Sequence, residues 1–300
     1  MKLFDCTLYY DEDLILETRL NILDKYFDKF IICEAKYTHS GREKKLNFNI
    51  NKFPQFKDKI IYLVDDREPE GIIYENNDGK KIENPKNWRA NAVKRIAKQR
   101  NKLLESINKL ADENDFIFYS DNDEIPNMEE FNKTKENSNI IIFEQKLFYY
   151  KFNLFYDKIF WYGTRAVKKK NLIDFEWLRQ IKPKKYRFFR LDTLFKKNKY
   201  TNLKIIKNGG WHFTRVLTPE EIHVKELDAE HHDEYRASNK NPNKIRDLIK
   251  KRMIDHDHFA DTKQSKYGKE FKLKIFNFED LPKYIKNNKE KYQNYLDLDY

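Results

Sequence analysis

Four short apolar runs in the first 126 residues limit what this chain can fold into. They occupy residues 3–9, 30–34, 60–65 and 116–120, and helical patterns lie between them. This alternation of strand and helix predicts an α/β fold with a mostly parallel sheet flanked by helices. Ligands of such sheets bind beyond the carboxyl ends of the strands, so we expect a binding site there.

The rest of the chain continues the same pattern with more strand. A helical pattern runs from Pro85 to Leu110, and residues 140–143, 146–150 and 160–163 are predicted strands. An aromatic content of 15% supplies enough large side chains for a substantial core. The second half therefore adds an elaborated, β-rich region to the first.

Three motifs predict local structure in that second half. Residues 208–213 predict a turn that carries a histidine. Thr218 and Glu221 have the spacing of a capping box at a helix start, and Asn241 precedes a proline that opens another helix. Because the chain has no internal repeat and no Gly/Ser linker, we predict a single domain over residues 1–300.

An acidic turn follows the fourth apolar run. Asp121 and Asp123 form an Asp-x-Asp pair directly after the predicted strand, and Pro126 stops the strand from continuing. Mg²⁺ and Mn²⁺ prefer one or two carboxylates, with phosphates and waters completing the octahedron. The chain has only 7 Gly and no glycine-rich phosphate-binding pattern. These features favour an acidic turn that binds a metal ion, which in turn holds a diphosphate, over an acidic turn that is only solvated.

The net charge of the chain is compatible with several classes of binding partner and does not select one of them. The net charge of +11 attracts polyanions, membrane surfaces and phosphate-bearing substrates alike. No nucleic-acid-binding motif accompanies the charge, so we expect a solvated lysine-rich surface and no nucleic-acid partner. Cys6 and Cys33 lie in apolar runs, which speaks against a disulfide framework. We predict no integral membrane segment and a cytoplasmic location; the oligomeric state is left open.

Six ordered pieces of the sequence resemble glycosyltransferase family 17, whose best-known members are β-1,4-mannosyl-glycoprotein β-1,4-N-acetylglucosaminyltransferases. The pieces are residues 4–20, 34–41, 88–101, 120–126, 210–213 and 232–235. The resemblance implies a GT-A-type, Rossmann-like fold and a UDP-sugar donor, with UDP-N-acetylglucosamine expected. It also implies a glycan acceptor, Mn²⁺ or Mg²⁺, and inversion at the anomeric carbon. Residues 1–126 would bind the nucleotide sugar, and residues 127–300 would bind the acceptor and close over the metal.

The resemblance gives the metal site three residues. Asp123 would be the principal metal ligand, and Asp121 would reach the ribose, or the metal through a water. His212 would be a late metal ligand that closes on the diphosphate, a role that a neutral imidazole can fill. Glu124 is either a carboxylate that orients these ligands or an ordinary turn residue.

Five further residues are predicted to bind the donor. Asp5, Glu34 and Asp65 fall on strands whose carboxyl ends would surround uracil and ribose in this architecture, where carboxylates can accept hydrogen bonds. Arg100 and Lys225 would face the charge of the diphosphate. A solvated position on the surface is the alternative for both cations.

Inversion by direct displacement needs a base that takes the proton of the acceptor hydroxyl. Glu234 is our first candidate, and Asp233 is the second catalytic candidate. Glu144 and Asp257 remain open, since any of the four can be an ordinary surface carboxylate.

Two further pairs carry structural expectations. Glu17 and Arg19 are two residues apart on one predicted helix and do not face each other, so at least one should meet a partner elsewhere. His256 and His258 share a face only on a strand. Because their segment follows a helix, we do not expect a second metal site there.

Two other functions fit parts of the sequence. A Mg-dependent nucleotidyltransferase or phosphohydrolase would also use clustered aspartates, but phosphate-cradling glycines or several His-Asp motifs would be expected. A non-catalytic, basic carbohydrate- or nucleic-acid-binding protein would treat the acidic turn as structural. Such a protein would bind without metal and release no UDP.

Overall fold

The computed structural model describes residues 1–77, 80–134, 138–184, 202–260 and 266–298. Its strands are β1 (Leu3–Tyr9), β2 (Lys29–Ala35), β3 (Ile60–Asp65), β4 (Glu75–Asn77), β5 (Lys80–Ile82), β6 (Phe116–Tyr119), β7 (Glu124–Pro126), β8 (Ile140–Tyr149), β9 (Leu154–Lys168), β10 (Leu203–Ile206), β11 (Gly210–Thr214), β12 (Met253–His256), β13 (Tyr267–Lys272) and β14 (Lys274–Ile275). Its α-helices are α1 (Asp13–Leu23), α2 (Trp88–Lys102), α3 (Leu104–Leu110), α4 (Met128–Thr134), α5 (Phe175–Gln180), α6 (Pro219–Asp228), α7 (His232–Ala237), α8 (Pro242–Lys251), α9 (Lys283–Asn287) and α10 (Lys289–Tyr292). None of these helices combines the length and the apolar composition needed to cross a membrane.

A ten-stranded sheet forms the centre of the described structure. Its order is β3-β2-β1-β6-β9-β8-β11-β7, with β10 also paired to β8 and β14 to β9. Strands β3, β2, β1 and β6 run parallel, as do β10 and β11 beside β8. Strand β9 is antiparallel to both β6 and β8. The mixed α/β class and the largely parallel, curled central sheet are confirmed, while the narrower GT-A assignment stays a prediction.

Several predicted boundaries are confirmed. Strands β1 and β3 have the predicted limits, residues 3–9 and 60–65. Thr218 and Glu221 form a complete capping box at the start of α6. The Asn241 side chain accepts from the backbone N–H of the third helical residue of α8. At each of these places the local sequence alone determines where the element begins.

Two predictions about elements were wrong. The helical pattern from Pro85 to Leu110 is divided at Leu103, where α2 ends and α3 begins. The predicted turn around the histidine is partly strand, because β11 begins at Gly210 and includes His212. Pairing of β11 with β7 and β8 overrides the turn tendency of the two glycines.

The first strands are apolar on both faces because helices cover both sides of the sheet. On β6, Phe118 packs into the cluster that contains Leu20 of α1. Its neighbour Ile117 packs into the cluster on the opposite face, which contains Ile107 of α3. Continuous apolar runs are typical of strands buried on both faces.

Gly210 is required by the close approach of β11 to β7. Its φ is +132°, and a Cβ there would lie 2.1 Å from the carbonyl oxygen of Ile125. We expect Gly210→Ala to lower the free energy of unfolding by about 2 kcal/mol or more, since it adds a clash to an unfavourable φ. Urea unfolding followed by circular dichroism measures this.

Gly268→Ala is the matched control, because Gly268 has φ +106° but a Cβ added there would meet no atom within 4 Å. Only the unfavourable backbone conformation should act there, at a cost of about 1 kcal/mol. Equal losses for the two variants would contradict the close-approach explanation.

Candidate active site

A cavity of about 700 Å³ opens at the carboxyl ends of β1, β2 and β6. Its wall includes Tyr9 and Tyr10 at the end of β1, Ala35 at the end of β2, and residues 121–123 after β6. This is the edge at which open α/β sheets bind ligands. The volume lies in the range of about 300–1,000 Å³ that is typical of small-molecule sites.

Strand pairing brings the acidic turn and His212 together. Strand β7 pairs antiparallel with β11, and His212 lies opposite Glu124 in that register. The backbone N–H of Phe213 donates to the carbonyl oxygen of Asp123 at 2.8 Å. As a result, Nε2 of His212 lies 3.5 Å from Oδ1 of Asp123. Two segments that are distant in sequence thus supply one pair of ligand-type side chains at the cavity.

Arg19 anchors the acidic turn from behind. Its guanidinium is fully buried and forms a two-point ion pair with Asp5. It also donates to Oγ of Ser120 at 2.7 Å and to the carbonyl oxygen of Glu124 at 2.8 Å. The expectation that Arg19 or Glu17 meets a distant partner is confirmed for both, since Glu17 pairs with Lys291.

The structure places Asp5, Glu34 and Asp65 outside the cavity lining. Asp5 is 1% exposed and is paired with Arg19. Glu34 is fully buried and accepts from the backbone N–H groups of two residues, Asn47 and Phe48. The carboxylate of Asp65 pairs with Lys98.

The prediction that these three carboxylates surround the donor conflicts with their contacts. They do lie on parallel strands, as the sequence indicates, but each pairs with a cation of the protein, and Glu34 also accepts from backbone N–H groups. The positions that reach the cavity at this edge are the last residues of β1 and β2 and those that follow them. They are Leu8, Tyr9, Tyr10, Ala35, Tyr37, Thr38 and His39.

Glu124 orients the acidic turn. Its carboxylate is fully buried and accepts from the backbone N–H of Asp121 at 3.0 Å and from Nε1 of Trp161 at 2.6 Å. Arg179 of α5 donates to both oxygens of Glu124, and also to Oδ2 of Asp121 at 2.8 Å. Of the two roles left open for Glu124, these contacts favour the orienting one.

Arg179 and Trp161 are site residues that the sequence analysis missed. Both line the cavity, and both reach the acidic turn from elements that follow it in the chain. Asp174 caps α5 through the N–H of Trp177 at 2.7 Å, so the short helix itself had a readable start. No local pattern shows that this helix packs beside the acidic turn.

The acidic turn is held in its charged form. Burial acts to raise the pKa of Asp121, but the charges of Arg179 and Arg100 outweigh it and hold the pKa well below its usual range. For Asp123, burial is outweighed mainly by His212, and the pKa is again lowered. Both carboxylates are therefore anionic at neutral pH, the state in which they can bind a cation.

Arg100 and Lys225 line the same cavity as the acidic turn. Arg100 donates to the hydroxyl of Tyr119 at 3.0 Å and pairs with Glu176 at 2.7 Å. Lys225 of α6 pairs with Glu12 across the cavity wall. Their placement agrees with the predicted role beside a phosphate group, although each already has a carboxylate partner.

The first two candidates for the base lie outside the cavity lining. Asp233 and Glu234 both pair with Arg89, at 2.6 and 3.0 Å. Glu144 is also outside it and pairs with Lys207. Of the four predicted carboxylates, only Asp257 lines the cavity.

The sequence analysis overlooked four other carboxylates that line the cavity. They are Glu12, Glu226, Asp228 and Glu230. The first three are held by Lys225, Arg215 and Arg42, respectively. Glu230 has a weaker contact, 3.9 Å from His231.

His256 and His258 lie closer together than expected. Strand β12 ends at His256, and the two imidazole centroids are 4.7 Å apart on the cavity wall. We expected His256 and His258 not to share a face because their segment follows a helix, and this expectation was wrong. Burial, followed by the charge of Arg215, lowers the pKa of His256 to about 2 and that of His258 to about 4. Both rings are neutral at physiological pH.

The donor atoms at the cavity determine whether a metal ion can bind. Across the described ranges, no group of three or more His, Cys, Asp and Glu side chains could hold a metal ion. Asp123 and His212 offer two ligands, and the 3.5 Å between them can be bridged by two bonds of about 2.1 Å. Nδ1 of His212 is buried and has no hydrogen-bond partner among the residues that the structure describes, so none of them fixes the ring in a different role. The pair fits a cation whose remaining ligands are phosphates and waters.

Comparison with known proteins identifies the family of the chain. A search of curated proteins found no match for this chain. The sequence model of Glycosyltransferase family 17, in contrast, matches residues 1–297, which is nearly the whole chain. The family resemblance is confirmed: the chain belongs to glycosyltransferase family 17 and is a glycosyltransferase.

Proposed function

We propose that this glycosyltransferase moves N-acetylglucosamine from UDP-N-acetylglucosamine to a glycan acceptor, with a divalent cation and with inversion. The observation that supports this best is the Asp123–His212 pair, 3.5 Å apart at the cavity on the carboxyl edge of the sheet. One carboxylate and one imidazole suit Mn²⁺ or Mg²⁺ when the substrate supplies phosphate oxygens.

Asp123 and His212 would hold the cation. When bound, it would neutralise the charge that develops on the departing diphosphate. Arg179 fixes Asp121 and Glu124, so the turn carrying Asp123 is preorganised before the donor arrives. Arg100 and Lys225 add positive charge to the same wall.

The acceptor hydroxyl must lose a proton as its oxygen attacks the sugar. Among the four carboxylates predicted as candidates for the base, Asp257 remains a candidate because it lines the cavity. It pairs with Lys269, which is 70% exposed. We propose Asp257 or Glu230 as the base, in place of Glu234 and Asp233.

We also propose a reducing, cytoplasmic location. Cys6 and Cys33 are both buried and unpaired, as expected for a protein that does not use disulfides.

The proposal is tested by UDP release from a panel of UDP-sugars. With Mn²⁺ we expect slow donor hydrolysis for one preferred sugar, and EDTA should lower the rate at least ~100-fold because the leaving diphosphate loses its cation. Readdition of Mn²⁺ or Mg²⁺ should restore it. Unchanged release in EDTA would refute metal dependence, and binding without UDP release would favour the non-catalytic alternative.

A further inference from the structure

His39 lines the cavity from the loop that follows β2. The backbone of this loop is bonded at several points. The N–H of Thr38 donates to the carbonyl oxygen of Arg42 at 2.8 Å, and the N–H of Gly41 donates to that of Thr38 at 2.9 Å. Arg95 of α2 also donates to the carbonyl oxygen of His39 at 3.3 Å. The loop therefore holds the imidazole in a defined place on the cavity wall.

A buried pair of hydrogen bonds determines which nitrogen of this ring carries a proton. Nε2 of Gln99 donates to the carbonyl oxygen of Cys33 at 3.1 Å, and Gln99 is only 4% exposed. Because a carbonyl oxygen can only accept, the amide nitrogen of Gln99 faces Cys33 and the amide oxygen Oε1 faces His39. That oxygen lies 3.1 Å from Nε2 of His39, so Nε2 must carry the proton and donate it.

The second ring nitrogen of His39 is left as an acceptor. Burial is the largest influence on the pKa of His39 and lowers it, so the ring is neutral at physiological pH and carries a single proton. With that proton on Nε2, Nδ1 presents a lone pair, and no residue that the structure describes donates to it. A lone pair attracts an N–H group and repels a phosphate oxygen, which is itself an acceptor.

We propose that Nδ1 of His39 is a specificity-determining acceptor for an N–H group of the nucleotide-sugar donor. This inference rests on the proposed function. UDP-N-acetylglucosamine has two such groups, the imide N–H of uracil and the N–H of the acetamido substituent. Cytosine has an acceptor nitrogen in place of the imide N–H. His39 therefore selects the donor by hydrogen bonding and not by charge, although Arg100 lines the same cavity.

The test is calorimetric titration of the intact chain with UDP, CDP and UDP-N-acetylglucosamine in the presence of Mn²⁺. The wild type is compared with His39→Phe, which keeps a flat ring and has no acceptor. If uracil supplies the N–H, the variant should bind UDP and UDP-N-acetylglucosamine about tenfold more weakly and CDP unchanged. If the acetamido group supplies it, only UDP-N-acetylglucosamine should weaken, again about tenfold. Equal changes for all three ligands, or no change for any of them, would overturn the inference.

Three further variants make this test specific. His39→Asn offers an amide oxygen as acceptor and should recover part of the affinity that His39→Phe loses. Gln99→Leu removes the acceptor that keeps the proton on Nε2, so it should weaken the same ligands while the imidazole itself is unchanged. His223→Ala is the matched control, since His223 bonds to Tyr235 at 2.8 Å outside the cavity lining, and its affinities should equal those of the wild type. Thermal melting checks that all the variants fold.

Nitrogen NMR of isotope-labelled histidine tests the tautomer of His39 without any donor. In the free wild type we expect a proton on Nε2 and none on Nδ1, and Gln99→Leu should give a mixture of the two tautomers. A proton on Nδ1 in the wild type would refute the inference and leave the proposed function intact. The same holds if UDP release is metal-dependent and His39→Phe keeps the wild-type affinities. If neither UDP nor UDP-N-acetylglucosamine binds, the proposed function fails and the inference fails with it.

Discussion

Replacing Asp123 by Asn is expected to reduce metal-dependent sugar transfer about 1,000-fold, which is ~4 kcal/mol of transition-state stabilisation. The amide keeps the shape of the side chain but loses the charge that faces His212. Protein stability should change little, because the carboxylate of Asp123 has no closer ion pair than this contact in the described structure. Initial rates of UDP release and Mn²⁺ binding by electron paramagnetic resonance measure the two sides of the effect.

Asp247→Asn is the control for Asp123→Asn. Asp247 lies exposed on α8, away from the cavity lining, so the Asp247→Asn variant should match the wild type in rate and in Mn²⁺ affinity.

His212→Ala should weaken Mn²⁺ binding more when the donor is present than when it is absent, if His212 ligates only after the diphosphate enters. If the Asp123→Asn variant keeps a tenth of the wild-type rate, the assignment of Asp123 as the principal metal ligand is wrong.

The parts of the structure that the sequence predicted are those encoded locally. Apolar runs determine β1 and β3, and side-chain caps determine the starts of α6 and α8. The acidic turn could be located because it follows a buried strand in a parallel sheet. Each of these inferences needs only neighbouring residues and the period of the element.

The assignments that changed depend on long-range partners. Asp5 was placed correctly at a strand, but its role is determined by Arg19, fourteen residues later in the chain. Arg179 is 58 positions from Asp121, and no sequence spacing predicts their ion pair. Asp233 and Glu234 sit in a family-like piece, yet Arg89 holds both of them outside the cavity lining.

Sequence patterns did not predict how many cations surround the acidic turn. Arginine side chains surround the acidic turn on several sides, and each comes from a different helix. Arg19 comes from α1, Arg100 from α2 and Arg179 from α5. Arg19 and Arg179 bond to the turn directly, Arg100 acts on Asp121 through its charge, and Asp123 remains directed at His212. The two aspartates of the turn therefore differ in role, since Asp121 is held by Arg179 and Asp123 faces His212.

Replacing Arg19 by Met is expected to lower the free energy of unfolding by ~3–5 kcal/mol, since Asp5 is then left as a buried, unpaired carboxylate. The acidic turn also loses its bonds from Arg19 to Ser120 and to the carbonyl oxygen of Glu124. Donor affinity should therefore fall as well. Urea unfolding and titration with the UDP-sugar, both at a temperature where the variant stays folded, measure the two effects.

A double variant and a surface control make this test specific. Asp5→Asn together with Arg19→Met removes both charges, so it should recover part of the stability lost by Arg19→Met alone. Arg246→Met breaks a pair with Glu220 in which both side chains are more than half exposed, and should cost about 0.5 kcal/mol. If the double variant is less stable than Arg19→Met by the full cost of a second independent substitution, the buried pair is not coupled. The support of the acidic turn must then come from the bonds of Arg19 to Oγ of Ser120 and to the backbone carbonyl oxygens of the turn, which do not involve Asp5.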